Sequence, residues 1–439
     1  MNYEEAINYL YSLNVHGGRL GLARERRLLR ALGNPQEKMK VILVGGTNGK
    51  GSTAAMIASM LQASGFKTGR FTKPHLSRFT ERISMNGREI GEQELARLAS
   101  LVWKEAGKLK GGKPTFFEVT VAIAYSYFAD KKADFAVMEV GLGGRLDATN
   151  TANAIVSVIT NVSLEHTEIL GKTIEKIAFE KAGIIKRRGV IVTSAEGPAL
   201  RVILREAEKK RAQVLVLGRH FKITKPVRIQ GGQRFSYSGL DASQRTFRLP
   251  LLGAHQLKNA ACALACVESI FPDSHVPEEA MRKGLAEVSW PGRLELVQKN
   301  PYVVLDCAKD LDAVKTVLRE LRKVFRYERL IAVVSISSDK NFREMMRSIA
   351  RAANVTIVTK HGVLSRAIET KVLAREALRN CKFVLEVQRV RDAVARALEL
   401  AGRRDLVLVI GSVFAVGEAR ELWFPSSRME RNLNEVPKK

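Results

Sequence analysis

Short runs of apolar, often β-branched residues punctuate the first half of the chain: VILVGG from Val41, FAVMEVG from Phe135, AIVSVIT from Ala154 and VIVTSA from Val190. Apolar residues at successive positions, with glycine close behind, mark strands that are buried on both faces. Between them, AAMIASMLQASG from Ala54 and TIEKIAFEKAG from Thr173 carry apolar positions at helical spacing. Strands and helices in alternation are the rhythm of βαβ units, so the pattern predicts an α/β fold in which helices cover a mainly parallel sheet in three layers.

Between about Val214 and Pro250 the rhythm changes to short alternating strands with glycine turns, as in VRIQGGQRFSYSG, and predicts an antiparallel appendage. A helical segment follows from Asn259 to Ser269. Proline and glycine in SWPGRLELVQKNPYVVLDCAKD then precede a fresh strand, which puts a domain boundary near Leu296 and predicts domains over 1–296 and 297–439. The second is a smaller Rossmann-like α/β unit with strands in YVVLDC, LIAVVSI, NVTIVT and LVLVIG and a helix in LDAVKTVLRELRKVF. No internal repeat or low-complexity segment interrupts this organisation.

Composition narrows the class. The 439 residues are 46% hydrophobic and 27% charged, the balance of a globular protein with a large core. The first residues lack the basic flank and apolar run of a signal peptide, and no apolar stretch is long enough to span a bilayer, so a cytoplasmic protein without a membrane partner is expected. Cys262, Cys266, Cys307 and Cys381 match neither a disulfide framework nor a CxxC metal pattern. The net charge of +27 admits nucleic acid, a membrane surface or anionic small substrates. Its lysines and arginines are spread along the chain, as in RVILREAEKKR and GRHFKITKPVRIQ, without interleaved aromatic residues, which favours small polyanionic ligands over nucleic acid.

The strongest chemical signal is VILVGGTNGKGSTAAMIASML: a buried-type strand, a glycine-rich turn with a lysine, and hydroxyl residues opening a helix. Gly45, Gly46, Gly49 and Gly51 let backbone N–H groups converge on phosphate oxygens, and the helix start adds its positive dipole end. Lys50 is placed to reach the β and γ phosphates of a nucleotide, and Ser52, or Thr53 in its stead, to ligate magnesium. A glycine separates the lysine from the first hydroxyl, a departure from the plain GxxxxGK[ST] pattern.

The variant loop GTNGKGST resembles the ATP loop of the folylpolyglutamate and dihydrofolate synthases within the Mur ligase superfamily. Further landmarks stand in the family's order: HGGRLGLARERRLLRALGNPQ before the loop, then FTKPHLSRFTERISMNG, PTFFEVT, MEVGLGGRLDATN, SLEHTEILGKTIEKIAFEKAGIIK, LLGAHQLKNAACA, WPGRLE and GSVFAVGEAR. The resemblance runs from about Leu10 to Arg420. It implies a P-loop domain, a smaller C-terminal domain, and an ATP-dependent ligase that activates a folate or pterin-type carboxylate as an acyl phosphate and couples it to L-glutamate. The family's architecture implies a monomer.

Roles carry over residue by residue. Thr47, Asn48 and the loop residues around them would hold ATP, with Lys50 catalytic. Glu139, at the end of an apolar strand and before a glycine-rich turn, is placed as a magnesium ligand and matches the family's metal-binding glutamate. His166 matches the histidine that ligates a second magnesium ion, although the aspartate before it is Glu165 here. Lys181 matches a lysine that the family carbamylates, chemistry that needs a neutral amine. Asn259 matches an adenine contact and Arg293 a phosphate contact. Arg82, in FTERI, is retained from the family and is a candidate contact for an anionic substrate.

Two segments depart from the family. DGAHNP reads DCAKDL, which keeps Asp306 as an ATP contact but puts Cys307, Lys309 and Asp310 where the family has glycine, histidine and asparagine. Lys73 stands where the family has serine, and a cation there favours an acceptor with additional negative charge. Competing readings are a nucleic-acid-associated P-loop ATPase, for which no apolar strand ending in paired acidic residues is present, and a noncatalytic nucleotide-binding relative.

Overall fold

The computed structural model describes residues 1–13, 21–110, 112–271, 277–363 and 365–426. Residues 16–20 of the HGGRLG landmark lie outside the described residues. Two compact units form, one from Met1–Lys73, Thr80–Pro250 and His255–Ser289, the other from Trp290 onward together with the short segments Pro74–Phe79 and Leu251–Ala254.

The first unit is built on eight strands: β1 (Lys40–Gly45), β2 (Thr68–Phe71), β3 (Ile83–Met85), β4 (Arg88–Glu89), β5 (Phe135–Glu139), β6 (Val156–Ile159), β7 (Val190–Thr193) and β8 (Gln213–Val216). They lie in the order β4-β3-β2-β5-β1-β6-β7-β8, parallel from β2 to β8, with β3 and β4 added antiparallel at one edge. The apolar run of β1 is buried at every position after Lys40, as expected of a strand covered on both faces. β1 sits where the strand order turns from one side of the sheet to the other, and α/β sheets hold ligands at the carboxyl ends of such strands. Val44 is opposite Glu139 and Gly45 is opposite Ile159, so β1, β5 and β6 end level.

The helix Lys50–Ala63 that follows β1 buries Ala54, Ala55, Met56, Ile57 and Ala58 in succession, so it is enclosed on all sides and is not an amphipathic surface helix. Gly284 allows this closeness: a Cβ there would stand 2.5 Å from the Met60 Cα, and Ser59 Oγ donates to the Gly284 carbonyl at 2.6 Å.

The appendage begins later than its sequence pattern suggests. Gln213–Val216 is not part of it but is β8, the parallel edge of the main sheet, whose half-exposed position gives it a mixed pattern. The antiparallel sheet comprises β9 (Lys222–Ile229), β10 (Gly232–Ser238) and β11 (Gln244–Leu249), in the order β11-β10-β9.

The second unit holds β12 (Glu295–Gln298), β13 (Tyr302–Asp306), β14 (Leu330–Val334), β15 (Val355–Lys360), β16 (Phe383–Arg389) and β17 (Leu406–Ile410), in the order β12-β13-β17-β14-β15-β16. The unit begins at Trp290, and β12, which contains Leu296, pairs antiparallel with β13 inside it. Strand alternation explains its core. Val304, Ala332, Val334, Val358 and Leu408 join one apolar cluster, and their neighbours Val303, Ile331, Val333, Ile357 and Val407 join another. The helices Leu311–Val324 and Phe342–Ala352 cover the first cluster, through Val314, Val317, Leu321 and Met345, Met346, Ile349. The helices Val390–Leu400 and Val413–Arg420 cover the second. Among the described residues no helix is long and apolar enough to cross a membrane.

Candidate active site

The chain leaves β1 at Gly45 and turns through residues 46–49 into the Lys50–Ala63 helix. Gly46 (φ 133°) and Gly49 (φ 84°) take the left-handed conformations that a glycine adopts without strain. Space enforces the same choice: a Cβ on Gly46 would collide with Thr160 Oγ1, and one on Gly49 with Asn259 Oδ1. The turn is held from β6's exit. Asn161 accepts from the Thr47 N–H on its carbonyl at 2.9 Å and from the Asn48 N–H on its Oδ1 at 2.8 Å. Thr160 Oγ1 donates to the Asn48 carbonyl at 2.6 Å. Asn259 is itself fixed by its Nδ2 donating to Gln256 Oε1 at 3.0 Å.

Two ammonium groups meet on this loop. Lys50 Nζ donates to the carbonyls of Gly46 at 3.1 Å and Thr47 at 2.8 Å, and Lys181 Nζ donates to the same Gly46 carbonyl at 2.8 Å. Lys181 comes from the helix Ile174–Ala182, whose N-cap Thr173 accepts from the Lys176 N–H. Its side chain is buried, and burial, followed by the nearby cation of Lys50, pulls its pKa down to about 7; the Lys73 cation acts the same way, and Glu165 opposes them. A pKa of about 7 brings the neutral, nucleophilic amine within reach at physiological pH, a state that sequence alone could not establish.

Around the loop end lie the other expected residues of this unit. Glu139, buried at the end of β5, accepts from the Lys73 N–H at 3.2 Å. Arg82 is buried with its guanidinium 5.3 Å from the centre of the Phe116 ring; burial lowers its pKa, and the charges of Tyr11, Glu81 and Glu139 oppose that. His166 caps the short helix Thr167–Leu170 in a left-handed conformation (φ 52°), with Nε2 3.4 Å from Glu165 Oε1. A non-glycine residue at such a φ is strained and marks a position that the surroundings dictate.

Ser52 Oγ and Thr53 Oγ1 are buried without a hydrogen-bond partner among the described residues. Buried hydroxyls are rarely left unsatisfied, so both are suited to a ligand; the Ser52 hydroxyl and the Glu139 carboxylate are oxygen donors of the kind a hard cation prefers, and the imidazole of His166 is a nitrogen donor. Among the described residues no group of three or more His, Cys, Asp or Glu side chains is arranged to hold a metal.

In the second unit, Asp306 ends β13 and accepts from the N–H groups of Leu294 and Ala308, each at 2.8 Å. Burial pushes its pKa up, against the pull of Arg293. Arg293 donates to the Gly292 carbonyl at 2.8 Å. Cys307 is buried, with its thiol pushed up to about 12 by burial and partly opposed by Arg293. Lys309 is half-buried, and Asp310 caps the Leu311–Val324 helix by accepting from the Ala313 N–H at 2.9 Å. The departure at Asp310 thus has a local structural use.

Residues 44–267 match the Mur ligase middle domain, and residues 292–413 match the Mur ligase glutamate ligase domain. The dihydrofolate synthase/folylpolyglutamate synthase of Bacillus subtilis is 35% identical over 427 residues, 95% of this chain and 98% of that protein. The chain belongs to this family of Mur ligases. The Mycobacterium tuberculosis folylpolyglutamate synthase complexed with ADP superposes with a TM-score of 0.90 at 32% identity, covering 97% of this chain and 98% of that one. Escherichia coli FolC in complex with DHPP and ADP superposes with a TM-score of 0.85 at 29% identity, over 96% and 97% of the two chains.

As a Mur ligase the chain is an ATP-dependent ligase, and its loop residues have the geometry described above. Sequence reasoning missed several groups around the loop. Arg70 and Asp147 are within electrostatic reach of Glu139 and Lys181 respectively, and Thr160 with Asn161 holds the loop. The pair Thr160–Asn161 directly follows the apolar run of β6, the one signal that could have marked it.

Proposed function

We propose that this ligase transfers the γ-phosphoryl group of ATP to a carboxylate of a folate or pterin-type acceptor and joins the activated acyl group to the amino group of L-glutamate. The observation that carries the reading is the convergence of Lys50 and Lys181 on the Gly46 carbonyl, with the unsatisfied hydroxyls of Ser52 and Thr53 in the first turn of the helix that Lys50 opens. The names of the relatives, which include a dihydrofolate synthase/folylpolyglutamate synthase, support the choice of acceptor and amino acid.

In this reading the loop N–H groups and the helix start bind the phosphates, and Lys50 neutralises charge on the transferred group. Bound magnesium would supply further charge neutralisation, with Ser52, Glu139 and His166 as its ligands at two sites. Lys181 in its neutral form can take up carbon dioxide, losing a proton and becoming a carbamate; the low lysine pKa supports this. Asn259 is proposed to meet adenine, and Arg293, Asp306 and Lys309 are proposed as nucleotide contacts. Lys73 and Arg82 are proposed as acceptor contacts, which suits an acceptor with several carboxylates. The enzyme acts as a monomer in the cytoplasm.

Phosphate release with Mg-ATP and L-glutamate, with dihydropteroate, tetrahydrofolate or a multi-carboxylate pterin added in turn and products identified by mass, tests the reading. Release that needs one acceptor and yields that acceptor plus a glutamyl unit is the expected result. Acceptor-independent release, or none at all, overturns it.

A further inference from the structure

The proposed chemistry leaves most of the +27 charge unused. Basic residues that look scattered in the sequence are gathered by the register of the β9–β11 sheet, whose strands carry six Lys or Arg and no Asp or Glu. Phe235, Tyr237, Phe247 and Leu249 point inward and are fully buried. Their neighbours Arg234, Ser236, Thr246 and Arg248 therefore face the other way. Cross-strand pairing adds Thr224, opposite Ser236, and Lys222, opposite Ser238, to this outer face.

Arg234 stands directly opposite Arg248. Like charges at directly opposed positions destabilise a sheet, yet neither arginine, nor Lys222, is in an ion pair among the described residues. Arg245, on the inner side, is by contrast paired with Glu268 and Asp241. The outer face thus combines uncompensated cations with hydroxyl donors, the residue types that contact phosphate oxygens.

This face is separate from the nucleotide loop. The sheet is tied to Glu268 through Tyr237, whose hydroxyl donates at 2.8 Å. Glu268 is nine residues beyond Asn259 on the helix Ala254–Ile270, a rise of about 14 Å. Its aromatic rings are turned inward, so it offers no stacking platform for unpaired bases. Val227 is its exposed apolar residue, too little to anchor in a bilayer.

We propose that the outer face of the β9–β11 sheet docks duplex nucleic acid through its phosphates, without reading sequence. Fluorescence anisotropy of the full chain with a labelled 24-base-pair duplex of random sequence, between 50 and 200 mM salt, tests it; these are assay settings of roughly the range in which phosphate contacts dominate. Affinity should fall steeply with salt. Arg234→Glu with Arg248→Glu should weaken binding about tenfold or more and reduce the salt slope by about 2, since each phosphate contact contributes about 0.9. Ligase activity should be unchanged. A charge-matched pair on the second unit, Arg391→Glu with Arg403→Glu, should leave binding within about twofold, because non-specific attraction to net charge would respond equally to both pairs. Equal loss in the two double variants, no binding at the lowest salt, or Arg234- and Arg248-dependent binding to phosphatidylserine vesicles but not to the duplex, would each overturn the proposal.

Discussion

Lys181 and Lys50 share one acceptor: their Nζ atoms lie 2.8 and 3.1 Å from the carbonyl oxygen of Gly46. Two ammonium groups on a single oxygen repel. That repulsion adds to burial, the larger cause, in pulling the Lys181 pKa down to about 7.

If neutral Lys181 is the working form, turnover should show an acid limb with its midpoint near pH 7. Below that the rate falls about tenfold per pH unit. Supplementary bicarbonate should raise activity, and degassed, bicarbonate-free buffer should lower it. A flat profile from pH 6 to 8 would separate Lys181 from the reaction.

Lys73→Ser removes a cation that helps to lower the Lys181 pKa. The acid limb should then move to higher pH, while KM for ATP changes little and KM for a multi-carboxylate acceptor rises. The pH–rate profile and the two KM values together distinguish a role at the acceptor from a purely electrostatic one.

The Lys181 side chain should also make stability depend on pH. With its native pKa lowered to about 7, the buried cation costs stability below that value. The cost fades as pH rises toward the ordinary lysine value near 10.4. Lys181→Met should therefore raise the urea midpoint more at pH 6 than at pH 9.5.

Glu25 offers the opposite sign. It is wholly buried, neither carboxyl oxygen has a hydrogen-bond partner among the described residues, and burial, with Glu118 and Asp147 nearby, pushes its pKa well up. The native state thus holds its proton more tightly than the unfolded chain does, and stability is lost as pH rises above the ordinary glutamate range. Glu25→Leu should stabilise by about 1–3 kcal/mol at neutral pH. The gain should shrink toward pH 4, as thermal melts across that range will show.

Gly49→Ala tests the loop itself. The left-handed backbone costs about 1–2 kcal/mol for a residue with a Cβ, and the added methyl group collides with Asn259. Binding of ADP, measured by calorimetry, should weaken by about tenfold or more, with the second unit's stability unaffected.

The central strands, the phosphate loop and its helix were legible because their signals are local: an apolar run, glycines and a lysine within a dozen residues. Edge strands were less so. β8, β12 and β16 are only partly buried, so their sequences lack the continuous apolar run, and the pattern from about Val214 points to the antiparallel sheet although Gln213–Val216 is the edge of the parallel one. Lys181 was legible as a position through its family motif but not as a chemical state. Its burial and its bond to Gly46 join residues 135 apart in sequence, and no local pattern encodes a desolvated ammonium group. The outer face of β9–β11 was hidden in the same way, since pairing partners such as Arg234 and Arg248 acquire a common side only once the hairpin register is set.

The second unit draws two short pieces from far upstream, and this limits how the chain can be divided. Leu76, from Pro74–Phe79, packs on one apolar layer, and the backbone of Gly417 leaves no room for a methyl group beside the Leu76 carbonyl. From Leu251–Ala254, Leu252 packs on the other layer, and the Ala254 N–H donates to buried Glu320 at 3.0 Å. A fragment starting at Trp290 would leave a buried carboxylate short of a donor and two holes in its packing. A protease nick after Ser289 should accordingly leave the halves associated, and swapping this unit between relatives at a single junction would import a mismatched pair of inserts with every exchange.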